Sequence, residues 1–212
     1  MLKVSEVFLS IQGEGTRAGR PCVFVRLAGC PLRCVYCDTP YALQGGTPRS
    51  EEQILEQIAD WPCRLVELTG GEPLVQPASF AFVTRLLDDS WEVLIETSGH
   101  VLLDRVDPRA VVIMDVKTPG SGESQRMEWR NLALLRPQDE LKIVVTGRSD
   151  FEWARDWIRN EGRVVRCPIL LSPSHGDQDP GELGRWILDA GLSVRLQVQL
   201  HRYLWPAETR GI

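Results

Sequence analysis

The chain has 212 residues, 43% of them hydrophobic and 25% charged, with a net charge of −5. This composition supports a packed core, argues against disorder, and gives no global reason to bind nucleic acid or an acidic membrane surface. No apolar run reaches the roughly 18–20 residues of a membrane-spanning helix, and Met1 to Ile11 alternates polar and apolar residues where a signal peptide would be apolar; a soluble, cytoplasmic protein is expected.

Strands then alternate with helices. Residues 4–10 and 22–27 read as strands, rich in β-branched and apolar side chains. Ser50 and Gln53 have capping-box spacing ahead of the apolar stripe Ile54, Leu55 and Ile58, so a helix starts there. Residues 65–69 form a short strand, 79–88 a helix, and 92–97 and 111–116 strands. Residues 125–135 read as a helix and 141–146 as a strand. Ser149 with Glu152 starts a helix to about residue 160. A strand over 164–171, a helix over 180–190 and a strand over 194–199 complete the chain.

Repeated strand–helix units imply a parallel sheet with right-handed crossovers. A complete eight-fold barrel takes about 250 residues, and only six or seven strands follow the first. The expected fold is therefore α/β: an incomplete, open β/α barrel with mostly parallel strands, one domain over residues 1–212. A doubly wound sheet is the alternative. In either, ligands bind at the carboxyl ends of the strands. The polar and Gly-rich segments fall there: the cysteine loop after Leu27, Gly70-Gly71-Glu72-Pro73 after Leu68, Ser98-Gly99-His100, Asp115 and Lys117, Ser172 to His175, and Gln199 with His201.

Of six cysteines, Cys22, Cys63 and Cys167 lie among apolar neighbours and read as small core hydrophobes. Cys30, Cys34 and Cys37 fall within eight residues. Three thiolates so close can wrap one face of a 4Fe–4S cluster, which normally takes four cysteines. With no fourth cysteine nearby, one iron would stay open to a small molecule. A zinc site completed by a histidine is the other reading of the spacing.

Cys-x3-Cys-x2-Cys, with Tyr36 before the last cysteine, resembles the signature of the radical S-adenosylmethionine (SAM) superfamily. The resemblance implies a cluster on Cys30, Cys34 and Cys37. Its open iron would bind SAM, and reduction would release a 5′-deoxyadenosyl radical. Thr69-Gly70-Gly71-Glu72-Pro73 resembles the superfamily's second motif, which contacts the SAM amino group.

Further segments are similar to the 7-carboxy-7-deazaguanine synthase family: Phe8 to Gly15, Gly19-Arg20-Pro21, Arg26 to Cys30, Cys37-Asp38-Thr39, Glu96 to Gly99, Asp115 to Pro119, Glu140-Leu141-Lys142 and Gln199 to Leu204. That likeness implies conversion of 6-carboxy-5,6,7,8-tetrahydropterin to 7-carboxy-7-deazaguanine with loss of ammonia, on the way to queuosine. SAM acts as a regenerated cofactor and Mg²⁺ assists. It implies substrate contacts from Ile11, Gln12, Gly13, Glu14, Arg26, Thr69 and Gln199, and from Ile212 if the tail carboxylate reaches in. SAM contacts fall to Tyr36, Cys37, Asp38, Gly71, Asp115, Val116, Lys117, Ser172, Pro173, Ser174 and His175, through backbone in the last two stretches. Thr39 is the magnesium position.

No general base is required, so His100, His175 and His201 take no catalytic role; the cofactor carries the radical chemistry. A reductant such as flavodoxin and a homodimer follow by analogy, with no direct nucleic-acid or membrane partner. A glycyl-radical-enzyme activase would share the cysteine and GGEP motifs. A non-catalytic metal-binding protein would bind no SAM.

Overall fold

The computed structural model describes residues 1–205 and Gly211; Ile212, named as a substrate contact if the tail reaches in, lies outside them. One sheet contains β1 (Leu2–Ile11), β2 (Pro21–Leu27), β3 (Thr47–Arg49), β4 (Leu65–Gly70), β5 (Glu92–Thr97), β6 (Val111–Val116), β7 (Glu140–Val145), β8 (Ile169–Pro173) and β9 (Arg195–Leu196). Its order is β3-β1-β2-β4-β5-β6-β7-β8-β9. β1 pairs antiparallel with β2 and β3, and every pair from β2 to β9 is parallel. From β4 on, the order follows the chain without the reversal of a doubly wound sheet. The sheet winds as a barrel and stays open between β3 and β9.

Helices α1 (Glu51–Ile58), α2 (Ala78–Asp88), α3 (Arg148–Arg159) and α4 (Pro180–Ala190) cover the outer face, and α5 (His201–Leu204) follows β9. Strand side chains alternate. Val23, Val25, Leu27, Val66, Leu68, Val93, Ile95, Val112, Met114 and Val116 pack outward with Ile54, Ile58, Phe82, Leu86 and Phe151 from the helices. Each such fully buried side chain contributes about 1.5–3 kcal/mol. The inward positions differ. Cys22, Phe24, Leu65, Leu94, Val111 and Ile113 form a second apolar cluster, with Phe8 stacked on Phe24 at 5.0 Å. Beyond it the same faces turn polar, with Arg26, Glu67, Thr69, Glu96, Asp115 and Lys142 lining a cavity.

Ser50 caps α1 as its spacing indicates: its hydroxyl accepts from Gln53 N–H, and Gln53 Oε1 accepts from Ser50 N–H. Elsewhere tertiary bonds override local pattern. Residues 125–135 form two short 3₁₀ turns, Ser124–Arg126 and Trp129–Ala133, not the expected α-helix. Buried Asn131 donates to the carbonyls of Gly99 and Val101 and accepts from Leu103 N–H, tying the segment to the loop after β5. β8 starts at Ile169, after a 3₁₀ turn over Glu161–Val164 and after Pro168, which has no N–H to donate. β9 is only two residues long, because Gln197 and Gln199 turn inward to Glu14. β3 was not apparent in the sequence.

Ser149 does not cap α3, which starts from Gly147 without a side-chain cap. Asp150, in its first turn, accepts from the Thr118 hydroxyl (2.9 Å), Gly120 N–H (2.8 Å) and the Thr146 hydroxyl (2.6 Å). One buried carboxylate thus joins α3 to the loops after β6 and β7. Asp150→Ala orphans these donors and costs about 3 kcal/mol. A thermal melt should fall by roughly 6–12 °C; an unchanged melt would show that these bonds contribute nothing.

Candidate active site

A cavity of about 750 Å³ opens at the carboxyl ends of the strands, within the range of small-molecule sites. It collects the expected residues from distant parts of the chain: Ile11 to Glu14, Arg26, the three cysteines, Tyr36, Asp38, Thr39, Thr69, Gly71, Asp115, Lys117, Ser172 to His175 and Gln199. Val116 is the exception. It falls on the outward side of β6 and is fully buried in the outer core, so its side chain cannot face a ligand.

The cysteine loop is held by its backbone. Gly29 N–H donates to Ala42 C=O, Cys30 N–H to Leu43 C=O and Val35 N–H to Ser121 C=O. Arg33 clamps the carbonyls of Cys30 and Leu32 at 2.8 and 2.7 Å, and Leu32 anchors the loop in the interior. Among the described residues no three His, Cys, Asp or Glu side chains converge closely enough to hold one metal ion. A cluster does not require such convergence, because each thiolate binds its own iron. Burial pushes the Cys30 and Cys34 thiols up, and the nearby Lys117 ammonium opposes it. That cation favours the thiolate form a cluster needs.

β4 meets this loop at two glycines. Gly71 N–H donates to Leu27 C=O at 3.0 Å and Glu72 N–H to Gly29 C=O at 2.8 Å. A Cβ at position 70, where φ is +146°, would lie 2.1 Å from the Leu27 oxygen; one at 71 would lie 2.4 Å from the Gly29 oxygen. Only glycine fits at either place. Fully buried Glu72 accepts from Leu74 N–H, the Thr97 hydroxyl, Ser98 N–H and the Ser98 hydroxyl. The Glu of Gly-Gly-Glu-Pro is therefore a brace between the ends of β4 and β5, and its carboxylate does not face the ligand.

On the opposite wall Lys117 Nζ lies 2.9 Å from Asp115 Oδ2 and 5.6 Å from the Tyr36 ring centroid. Tyr36 Oη and Asp115 Oδ1 are buried without a hydrogen-bond partner. Such orphans carry a free-energy cost that a polar ligand would remove. Two of them beside the cysteine loop fit a polar cofactor bound there. Arg26 Nε donates to Glu6 at 2.7 Å, and Tyr41 shares that oxygen.

Deeper in, the expected residues Gln12, Glu14, Thr69 and Gln199 join a network with Glu67, Glu96, Lys142 and Gln197, which carried no role in the sequence reading. Gln12 Nε2 donates to Glu67, and Gln12 Oε1 accepts from Glu14 N–H, so this amide braces its own turn. Lys142 Nζ pairs with Glu14 (3.0 Å) and with Glu96, while the Thr69 hydroxyl donates to Glu96 at 3.1 Å. Glu14 also accepts from Gln197 at 2.8 Å and Gln199 at 2.9 Å. A signal was present: charged residues at alternate positions within apolar strands, as in Leu65-Val66-Glu67-Leu68 and Leu141-Lys142-Ile143, mark an inward face that is polar.

Residues 25–113 match the radical SAM superfamily. A 7-carboxy-7-deazaguanine synthase of Chlorobaculum tepidum is 44% identical, covering 100% of this chain and 97% of the relative. One from Koribacter versatilis is 39% identical with full coverage of both. The crystal structure of QueE from Escherichia coli superposes with a TM-score of 0.73 at 26% identity, over 94% of each chain. Similarity of that extent reaches far beyond the cysteine motif: the chain belongs to the 7-carboxy-7-deazaguanine synthase family of radical SAM enzymes.

Proposed function

We propose that the chain converts 6-carboxy-5,6,7,8-tetrahydropterin to 7-carboxy-7-deazaguanine with loss of ammonia, on the route to queuosine. The observation that carries this reading is one cavity with a cysteine loop at its mouth, a guanidinium on one wall and a row of carboxylates in its depth. A pterin has the complementary parts: a carboxylate, and a pyrimidine edge rich in N–H donors. When bound, the cluster and SAM supply the radical that takes a hydrogen from the substrate.

The chain's own share is positioning and exclusion of water. Arg26 is oriented by Glu6, so the outer edge of its guanidinium is suited to the substrate carboxylate. Glu14, with Gln199 against it, accepts from the pterin edge; Ile11 and Gly13 add backbone groups and Thr69 a hydroxyl. Tyr36, Asp38, Gly71, Asp115, Lys117 and Ser172 to His175 surround SAM. Thr39 takes magnesium, which keeps several waters and so needs few protein ligands. The protein works in the reducing cytoplasm, as a homodimer, with a flavodoxin-type donor. The family match sets aside the glycyl-radical activase and the non-catalytic metal protein.

The deep carboxylates differ in charge. Burial, with Glu96 nearby, pushes Glu67 up to about 8, so it is protonated at neutral pH. Burial acts on Glu96 too, but the Lys142 ammonium outweighs it and holds Glu96 at about 2. The core thus avoids an additional unpaired charge.

Three outcomes follow. Anaerobically reconstituted, reduced protein given SAM, Mg²⁺ and 6-carboxy-5,6,7,8-tetrahydropterin should yield 7-carboxy-7-deazaguanine by mass spectrometry, and Cys34→Ala should yield none; SAM cleavage without that product would discard the substrate. Arg26→Lys loses the planar fork and should raise KM about 10–100-fold; an unaltered KM would remove the carboxylate role. Glu67 keeps its proton to about pH 8 in the fold but only to 4.5 in the unfolded chain, so stability falls as pH rises between those values. Between pH 6 and 9 the melting temperature of Glu67→Gln should fall less than that of the parent, by at least about 4 °C. Parallel pH profiles would show that Glu67 ionises normally.

A further inference from the structure

Lys142 carries no role toward the substrate in the reading above, although it lines the same cavity. Lys142 projects from β7 into the cavity with a side chain only 7% exposed. Its ammonium meets carboxylates from three other elements: Glu14 of the turn after β1 at 3.0 Å, Glu96 of β5 in a direct hydrogen bond, and Asp115 of β6 at 3.9 Å. Asp115 has its own closer cation in Lys117. Lys142 is therefore the cation that Glu14 and Glu96 share.

An ionised carboxylate offers about four acceptor sites. Glu14 takes up three with Lys142, Gln197 and Gln199; Glu96 takes up two with Lys142 and Thr69. Both line the cavity with acceptor capacity to spare. We propose that Lys142 is a positioning residue, one buried ammonium that holds Glu14 and Glu96 together as an acceptor pair for the N–H edge of the substrate. The inference rests on the pterin reading and adds the means by which that edge is recognised.

The physical need is for a fixed donor–acceptor pattern. Two neighbouring carboxylates without a cation repel, and one takes up a proton. A protonated carboxyl presents a donor where the ligand also presents one, and a mispaired buried site loses affinity steeply. The other groups facing the pair do not replace Lys142. Glu67 from β4 is neutral, Asp115 is paired, Arg26 from β2 is engaged by Glu6, and burial keeps His201 from α5 below its usual range.

The test uses reconstituted holoenzyme carrying Lys142→Met or Lys142→Arg. It measures melting temperature, dithionite-driven SAM cleavage without pterin, and kcat and KM for 6-carboxy-5,6,7,8-tetrahydropterin from pH 5 to 7, below the range in which Glu67 loses its proton. Lys142→Met should raise KM at least about 30-fold. Its KM should also fall with rising pH as the shared proton leaves, where the parent is flat. Lys142→Arg keeps the charge, so its KM should rise less than about tenfold with a flat profile. An unaltered KM in Lys142→Met, or a raised KM with the same flat profile as the parent, overturns the proposal. If Lys142→Met does not fold, the double variant Lys142→Met with Glu96→Gln removes the repulsion. Its KM should stay raised but lose pH dependence, and a parental KM in that variant also overturns the proposal. Absence of product from the parent protein would instead defeat the pterin reading itself.

Discussion

The site depends on a close backbone approach. The end of β4 lies so near the cysteine loop that neither Gly70 nor Gly71 leaves room for a Cβ. Two backbone hydrogen bonds seat the loop on that strand, and Glu72 then locks the strand to the end of β5. The rim that presents Cys30, Cys34 and Cys37 is thus fixed by main chain and one buried carboxylate, with Arg33 clamping the carbonyls of Cys30 and Leu32. Rigid support of this kind is what a reactive centre requires.

Below the rim the sheet solves a second problem. A parallel sheet is usually apolar on both faces. Here only the outer face is, against α1 to α4, while the inner face is apolar at its base and charged above. The Phe8–Phe24 stack with Leu94 and Ile113 closes the base. Above it, charges stand as compensated groups: Lys142 between Glu14 and Glu96, Lys117 with Asp115, Arg26 with Glu6, and Glu67 as a neutral acid. Burying any one of these charges alone would cost several kcal/mol, so the arrangement holds as a set.

Where local pattern and tertiary demand agree, the sequence was sufficient. β5, β6 and α4 occupy the expected residues, and Ser50 caps α1 as its spacing indicates. The cysteine spacing and the two glycines point to the mouth of the sheet. Where long-range bonds decide, sequence reading fell short. Asn131 pulls residues 125–135 out of a helix, and α3 starts from Gly147, not at Ser149, with Asp150 tying it to the loops after β6 and β7. The pairing of Lys142 with Glu14 spans 128 residues, and no local periodicity encodes it. Only the alternation of charge in apolar strands hinted at it.

The inward turn of Gln197 and Gln199 also bears on how the molecule forms. These amides reach Glu14 across separations of 183 and 185 residues, and Leu200 N–H donates to Gly13 C=O. Contacts of such high order incur their loop-closure cost late and slow folding. During synthesis the cysteine loop, β4 and β5 can assemble while the carboxylate end of the cavity still lacks its final donors. The nascent chain therefore carries Glu14 long before it carries Gln197 and Gln199, the amides that hold it.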